Sequence, residues 1–545
     1  MMTKKVVILL LILFAIAVVV MLKDSKEDSD SQKEVPIEVS SDAESFVSLL
    51  FDLAEKGQTI NSPFIVGETT IQKVHELWGA PDRKSKNASA IYEEFLSNDA
   101  TVGHQSEVVF DIRSSSPEIQ QIRLEDIKSI KGEADKVRSY QDDQVDQTIF
   151  IYDVTTDFQL KWIMPKPTEE EPNPEVHHIS VFTEFEKDFS LSDLSLEEKV
   201  GQMIFAGIKG TDITNETKKI ISTHQVGGII LFKDNLKNAN QSVSLLNAIK
   251  QENTNNKVPL FLGVDEEGGR ISRLPELTKL PTNEELGKRN DISLSYNIGK
   301  LLGKELSAFG FNLDFAPVLD INSNPDNPII GDRSFGKDAE LVSELGLQMM
   351  KGIQSEQVIS VIKHFPGHGD TAVDSHKELP IIQKSLEELQ ALELIPFKHA
   401  VEQGADVVMV GHILLPKIDS TYPASISERI ITDVLREQLG YEGIIITDDM
   451  TMKAILNNLE IGESAVSAVK AGNDIVLVAH NYANVKKTVD AILKAIEDGE
   501  ITEQRIDESV KRILSIKKKY NLSNKQIDGV NIEELNQSIN QTLGR

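Results

Sequence analysis

The sequence predicts an α/β protein whose main domain is a (β/α)8 TIM barrel, preceded by a membrane anchor and a small α+β domain. Two observations predict the barrel: eight short apolar runs recur after about Leu194, and each is followed by a loop and a helical pattern. Near-continuous apolar strands that alternate with helices indicate a parallel sheet, and eight such units fit a closed barrel. The runs span residues 203–207, 228–232, 260–264, 313–318, 358–362, 407–410, 444–446 and 475–478.

The main alternative to the barrel is an open, doubly wound parallel sheet. Such sheets often carry a Gly-x-Gly-x-x-Gly turn directly after a strand, where it binds a dinucleotide. No predicted strand of this chain is followed by that turn. The barrel is therefore the predicted fold of residues 193–521.

Residues 1–22 predict a membrane anchor. Lys4 and Lys5 precede seventeen uncharged apolar residues, 6–22, and this length is the lower limit for a helix that crosses a bilayer. No small-residue cleavage site follows, so we expect an uncleaved anchor rather than a signal peptide. Lysines before the segment favour a cytoplasmic N-terminus and place the rest of the chain outside the membrane. Cleavage, which would release a secreted protein, is the alternative.

The region between the anchor and the barrel predicts a stalk and a small domain. Residues 23–42 are charged and rich in serine, which is typical of a disordered segment. Residues 43–186 open with a helix-like amphipathic stretch and continue with strand-like alternation at 107–113 and 148–152. We therefore expect an α+β domain.

Two further patterns characterise this small domain. The runs 158–163 and 177–182 flank an acidic, proline-rich segment, which predicts a β-hairpin with a long loop. Residues 67–71, Gly-Glu-Thr-Thr-Ile, and 77–82, Leu-Trp-Gly-Ala-Pro-Asp, resemble the YjgB type of domain. That domain, of unknown function, occurs in exported proteins of Gram-positive bacteria.

Composition excludes several classes of function. The formal net charge is −29, with 57 basic against 86 acidic residues, which argues against binding to nucleic acid. The chain has no cysteine, so a disulfide, a thiol nucleophile and a thiolate metal site are all excluded.

Charged residues follow four of the predicted barrel strands. They lie at 265–273 after the third strand, 331–336 after the fourth, 363–376 after the fifth and 447–452 after the seventh. Because the carboxyl ends of barrel strands share one rim, we expect these residues to converge there. Carboxyl groups with cationic and imidazole hydrogen-bond donors suit cleavage of a hydroxyl-rich ligand such as a sugar.

Residues 363–376 read Lys-His-Phe-Pro-Gly-His-Gly-Asp-Thr-Ala-Val-Asp-Ser-His. They match in full the signature Lys-His-Phe-Pro-Gly-His-Gly-x-Thr-x-x-Asp-Ser-His, so residues 193–520 resemble glycoside hydrolase family 3, in particular its β-N-acetylglucosaminidase branch. The resemblance implies that Asp448 is the nucleophile and that Asp374 and His376 form the proton-transferring dyad. It also implies a substrate-binding set, which comprises Asp265, Arg273, Arg333, Lys363 and His364.

The implied activity is a retaining, exo-acting β-N-acetylglucosaminidase that needs no cofactor and no metal. Asp449 is excluded as the nucleophile because adjacent side chains at a strand end point to opposite sides. His368 is expected to shape the loop rather than to catalyse. With the predicted anchor, the resemblance suggests peptidoglycan-derived fragments outside the cell membrane as substrate, with chitin fragments as the alternative.

Other interpretations of the same residues remain open. A metal site could be built from the histidines and aspartates of the motif, although their spacing matches no common metal motif. Its ligands would be His364, His368, Asp370, Asp374 and His376. Other possibilities are a β-N-acetylglucosaminide phosphorylase, another β-glycosidase of the family and a non-catalytic protein that binds cell-wall sugars. Residues 522–545 are expected to form a polar C-terminal tail.

Overall fold

The computed structural model describes residues 43–87, 90–105, 108–141, 145–155, 157–183, 189–373 and 378–545. The chain divides into two compact units, Met1–Glu186 and Lys187–Arg545. Within the described residues, no helix combines the length and apolarity that a bilayer crossing requires. The predicted anchor, 1–22, and the predicted stalk, 23–42, both lie outside the described residues.

The N-terminal unit contains an eight-stranded antiparallel sheet with the order β1-β2-β3-β4-β8-β7-β6-β5. The predicted hairpin is confirmed, since β7 pairs antiparallel with β8. Trp162 lies fully buried on the face of the sheet that packs against the helices. The strands are β1 Arg83–Asn87, β2 Ala90–Phe95, β3 Ala100–Gln105, β4 Val108–Ser114, β5 Lys136–Gln141, β6 Asp146–Asp153, β7 Gln159–Pro165 and β8 His178–Phe182, and the helices are α1 Ala43–Ala54, α2 Ile71–Trp78 and α3 Leu124–Lys131.

The second unit is the predicted parallel barrel. Its eight strands follow the order β15-β14-β13-β12-β11-β10-β9-β16, and a parallel bridge between Ile446 and Ile475 joins the two ends. Each strand overlaps one of the eight predicted apolar runs. The strands are β9 Ile204–Gly207, β10 Gly228–Ile230, β11 Phe261–Val264, β12 Leu313–Asp314, β13 Ile359–Phe365, β14 Val407–Val410, β15 Ile444–Thr447 and β16 Val476–Val478.

Helices precede, connect and follow these strands on the outside of the barrel. They are α4 Leu196–Gln202, α5 Asn215–Lys218, α6 Ala239–Glu252, α7 Asn283–Arg289, α8 Ile292–Phe309, α9 Ala339–Ser355, α10 Leu386–Gln390, α11 Leu394–Glu402, α12 Lys453–Leu456, α13 Ile461–Ala471, α14 Tyr482–Glu497, α15 Glu503–Lys519 and α16 Ile532–Leu543. Two π-helical segments, Lys219–Thr223 and Arg429–Gln438, complete the outer layer.

Aromatic rings fill the inside of the barrel. The Phe205 and Phe261 rings are stacked with centroids 6.3 Å apart, and Phe315 meets Phe205 edge-on at 5.5 Å. A Cβ atom on Gly228 would lie 2.6 Å from the Phe205 ring, and one on Gly263 would lie 2.9 Å from Phe315. Large and small residues thus alternate between neighbouring strands. Their side chains fill the barrel interior, so a ligand can bind only at the rim.

The C-terminal residues pack on the barrel rather than extending from it. α16 buries Leu535 and Ile539 completely or nearly so in the barrel's core cluster. These two apolar residues are four positions apart and so lie on one helix face. Residues 522–545 are therefore a polar tail in composition only, because this short apolar stripe docks the segment.

Candidate active site

A buried ionic network occupies the rim at the carboxyl ends of β11 and β13. Lys363, at the end of β13, places Nζ 2.6 Å from Oδ1 of Asp265 and 2.7 Å from Oε1 of Glu267. Arg333 binds the same Glu267 through two bonds, Nε to Oε2 at 2.8 Å and a terminal nitrogen to Oε1 at 2.7 Å. Three of the five predicted substrate-binding residues are thus brought together through Glu267.

The charges of this network stabilise one another. Burial alone would raise the pKa of Glu267, but the charges of Arg333 and Lys363 outweigh burial, and the pKa lies far below its usual range. Burial alone would lower the pKa of Lys363, but Asp265 and Glu267 outweigh it and raise the pKa. Both groups therefore remain charged near neutral pH, in a site that excludes most water.

The fourth predicted binding residue, His364, is oriented by Asp320. Oδ2 of Asp320 lies 2.6 Å from Nδ1 of His364, and its Oδ1 accepts the His368 backbone N–H at 2.6 Å. Burial would raise the pKa of Asp320, but His364 and His368 outweigh it and lower the pKa. As an acceptor for Nδ1–H, the carboxylate sets the ring orientation of His364 and leaves Nε2 for a ligand.

The fifth predicted binding residue, Arg273, lies in the loop after β11. Its backbone N–H donates to Oε2 of Glu266 at 2.7 Å, and Leu274 N–H donates to the same oxygen at 3.0 Å. The hydroxyl of Ser272 bonds the other Glu266 oxygen. Among the described residues, the buried Nε of Arg273 has no hydrogen-bond partner. The loop is thus anchored through its backbone, and the guanidinium keeps a donor for a ligand.

Two adjacent aspartates after β15 have different surroundings. Oδ1 of Asp449 accepts the backbone N–H groups of Thr451 and Ala479, both at 2.9 Å, and its Oδ2 accepts the Thr451 hydroxyl at 2.6 Å. Asp448 donates its backbone N–H to Val410 at 2.9 Å, which places it against the end of β14. Asp449 therefore caps the loop, while the nucleophile role of Asp448 stays a prediction.

The middle of the signature motif forms a compact turn. A Cβ atom on Gly369 would lie 1.7 Å from the carbonyl oxygen of Ile321, so only glycine fits there. His368 is buried, and its Nδ1 lies 2.9 Å from the Thr371 hydroxyl. Burial and the neighbouring His364 lower the pKa of His368 to about 4, so its ring is neutral near pH 7.

The far end of the motif carries the predicted dyad. Asp374 and His376 lie outside the described residues. The turn before them is held by Lys384, whose Nζ is 3.0 Å from Asp370 and 2.5 Å from Glu393. Within the described part of the chain, no three histidine, aspartate or glutamate side chains are grouped as metal ligands.

Sequence reasoning missed the residues that organise this site, namely Glu266, Glu267 and Asp320. The first two belong to the run Asp-Glu-Glu-Gly-Gly-Arg, where three consecutive acids give no basis for assigning separate roles. Asp320 lies six residues after the end of β12, and its place in the loop after a barrel strand was the available signal.

Comparisons with known proteins match the two units of the chain to separate families. Residues 195–516 match the N-terminal domain of glycosyl hydrolase family 3, and residues 47–182 match a domain of unknown function, DUF4309. Beta-hexosaminidase A of Pseudoalteromonas piscicida is 33% identical over 335 residues, or 57% of this chain and 56% of that protein. A beta-hexosaminidase of Neisseria meningitidis serogroup C is 38% identical over 286 residues, or 51% of this chain and 78% of that protein.

Solved structures show the same similarity. A glycoside hydrolase family 3 beta-N-acetylglucosaminidase from a Paenibacillus species superimposes with a TM-score of 0.62 at 41% identity, covering 64% of this chain and 68% of that chain. A beta-N-acetylhexosaminidase from Beutenbergia cavernae superimposes with a TM-score of 0.56 at 28% identity, covering 61% of this chain and 99% of that chain. The aligned part of this chain thus covers nearly the whole of that second chain.

Proposed function

The chain belongs to glycosyl hydrolase family 3, and we propose that it is an exo-acting β-N-acetylglucosaminidase that hydrolyses terminal β-linked N-acetylglucosamine with retention of configuration. The observation that carries the proposal is the network around Glu267. This one carboxylate holds Lys363 and Arg333 beside Asp265 on a single rim. The similarity to proteins named beta-hexosaminidases supports the same activity.

The network retains bonding capacity that fits a sugar. Lys363 has three N–H donors and uses two of them on Asp265 and Glu267, which leaves one for a hydroxyl. Nε2 of His364 and Nε of Arg273 add two further polar atoms on the same rim. A charged, water-poor site of this kind holds hydroxyl groups in one orientation.

The proposed reaction is a double displacement. Asp448 attacks the anomeric carbon while His376, oriented by Asp374, protonates the departing oxygen, and a covalent glycosyl-enzyme forms. The neutral imidazole of His376 then removes a proton from water, which attacks the anomeric carbon and releases Asp448 and the sugar. The engagement of the Asp449 carboxylate with Thr451 and Ala479 supports the choice of Asp448.

The activity is tested with a nitrophenyl β-N-acetylglucosaminide. We expect release of nitrophenol by the wild-type protein, with the β-anomer of the sugar appearing first in proton NMR spectra. Asp448→Asn should lower kcat by about 10⁴-fold or more, as removal of a nucleophile does. Asp449→Asn is the matched control and should lower thermal stability more than activity. Normal turnover by Asp448→Asn would contradict the nucleophile assignment.

The acceptor and the natural substrate require separate measurements. In phosphate buffer, hydrolysis should release free sugar, whereas phosphorolysis would release sugar 1-phosphate. We expect free sugar. We propose peptidoglycan-derived fragments as substrate and a location outside the cell membrane, supported by the apolar segment 6–22 and the lysines before it. Equal or better cleavage of chitin oligosaccharides than of muropeptides would contradict this substrate, and protease-resistant protein in intact, wall-stripped cells would contradict the location.

A further inference from the structure

The segment after α15 runs along the outside of the barrel from one end to the other. α6 connects parallel strands, so it begins at the carboxyl end of the barrel and finishes at the amino end. Asn524 contacts Asn253 just after α6, with Nδ2 of Asn253 donating at 2.9 Å. Three residues later, Nδ2 of Asn247 donates to the carbonyl of Ile527 at 2.7 Å, and the backbone N–H of Ile527 donates to Oδ1 of Asn247 at 3.0 Å. The segment therefore rises along α6 toward the catalytic rim.

At the rim, α16 makes a reciprocal contact with the loop after β11. The backbone N–H of Thr278 donates to Oδ1 of Asn536 at 2.6 Å, and Nδ2 of Asn536 donates to the carbonyl of Glu276 at 3.1 Å. One amide side chain thus satisfies a donor and an acceptor of the loop backbone. Such loop groups otherwise depend on water, so the contact restrains the loop directly.

The restrained turn lies close to Arg273 in the sequence. Glu276 has a positive φ of 68°, which is uncommon outside glycine and needs support from its surroundings. Its carboxylate also accepts the first N–H of α6, from Ala239, at 3.3 Å. Five residues before Thr278, the backbone of Arg273 is bound on its other side by Glu266. The loop that presents Arg273 is therefore fastened at two points, from the barrel interior and from α16.

The position of α16 is itself fixed independently of this loop. Leu535 and Ile539 are buried, and Lys304 of α8 lies 3.5 Å from Glu534 and 3.3 Å from the Ser538 hydroxyl. The helix is consequently a stable support rather than a segment that follows the loop. It also lies beyond residues 195–516, the part of the chain that matches the family.

We infer that Asn536 is a positioning residue for substrate binding: it holds the turn at 276–278 so that Arg273 points into the site. The inference rests on the proposed function, because it assigns the effect to sugar binding at Arg273. The expected effect of losing Asn536 is on binding of the substrate and not on the chemical step. Loosening the turn should weaken sugar binding and leave the reacting groups, which lie on other loops, unchanged.

The test compares Asn536→Ala with Gln537→Ala, an exposed neighbour on the same helix. Each lost hydrogen bond is worth about 1 kcal/mol net, and tenfold in affinity corresponds to about 1.4 kcal/mol. We expect Asn536→Ala to raise KM for the nitrophenyl glycoside about fivefold to tenfold, with kcat within twofold of wild type. Gln537→Ala should match wild type in both constants. An unchanged KM, or a fall in kcat at constant KM, would overturn the inference.

Hydrogen–deuterium exchange provides a readout that needs no activity. In Asn536→Ala the Thr278 amide loses its acceptor, so peptides covering 271–280 should exchange faster while those of the barrel strands do not. Faster exchange without a change in KM would show that the turn does not act through Arg273, which also overturns the inference. If the wild-type protein neither turns over the glycoside nor binds N-acetylglucosamine in calorimetry, the proposed function fails first. If the wild-type protein is active and Asn536→Ala has the same KM, only this inference fails and the proposed function stands.

Discussion

Two fully buried lysines, Lys363 and Lys517, occupy opposite ends of the barrel and have opposite partners. Lys363 at the carboxyl end lies between two carboxylates, which raise its pKa above the usual value. Lys517 contacts three neutral oxygens near the amino end, from Gln202, Gly227 and Pro259, at 2.7 to 2.8 Å, and burial lowers its pKa.

The difference shows which end of the barrel is built to take a ligand. All three Lys517 donors are used within the protein, and the ring of Phe261 lies 4.5 Å from Nζ. Asp474, also near the amino end, is likewise enclosed, since it accepts from Ile445 N–H, Ser509 and two arginines. At the carboxyl end, Lys363 and Arg273 each keep an N–H donor that the described protein groups do not use. Polar groups whose hydrogen bonds are all satisfied within the protein stabilise the fold, whereas spare donors on a barrel's carboxyl rim can bind a ligand.

Among the changes that test this comparison, substitution of Lys363 should have the largest effect. Lys363→Met leaves Asp265 and Glu267 without their shared cation, and removing one partner of a buried pair costs roughly 3–5 kcal/mol. We expect kcat/KM for the nitrophenyl glycoside to fall about 10³-fold. Lys517→Met is the matched control: it should keep kcat/KM within about twofold and lower the melting temperature by several degrees, because three oxygens lose their donor. A comparable activity loss in Lys517→Met would contradict the assignment of the two ends.

A smaller effect is expected from Glu267→Gln, which keeps the side-chain shape but removes the charge that Lys363 and Arg333 share. We expect kcat/KM to fall about 10²-fold, mainly through KM, since a charged hydrogen bond is worth roughly 1.5–3 kcal/mol. Glu305→Gln is the control, because burial and two nearby carboxyls raise the pKa of Glu305 well above the usual value, which favours the neutral form that glutamine resembles. Normal kinetics of Glu267→Gln would show that the network does not position the two cations.

The smallest expected effect is on the pH dependence of stability, because the pKa of Glu266 is raised while that of the adjacent Glu267 is lowered. Burial raises the pKa of Glu266 to about 6 from 4.5, so the folded state holds its proton more tightly than the unfolded state. Stability should therefore fall as pH rises from about 4.5 to 6, by roughly 2 kcal/mol, and no further above that range. Melting temperatures of wild type and Glu266→Gln, compared at pH 4.5 and 7, measure it. Glu266→Gln should gain on wild type at the higher pH, and a constant difference would contradict the pKa shift.

Much of the architecture was predictable because its signals are local. The eight apolar runs coincide with the strands, since a buried parallel strand needs a continuous apolar segment. The charged loops after the third, fourth and fifth strands converge on one rim, as the barrel rule requires. The composition of the tail is polar, but a signal for a docked helix was present: Ile532, Leu535, Ile539 and Leu543 recur at three- and four-residue spacing and so share one helix face.

The sequence by itself determined the barrel, the family signature at 363–376 and the set of residues that reach the rim. Only the tertiary structure decided which of them pair. Glu267 binds Arg333 across 66 residues of sequence, Lys363 binds Asp265 across 98, and Thr278 binds Asn536 across 258. The first two pairs form because the ends of β11, β12 and β13 are neighbours in the sheet, and the third forms because α16 packs on the barrel. A short window of sequence records a side chain's chemistry but not the burial and distant charge that fix its role.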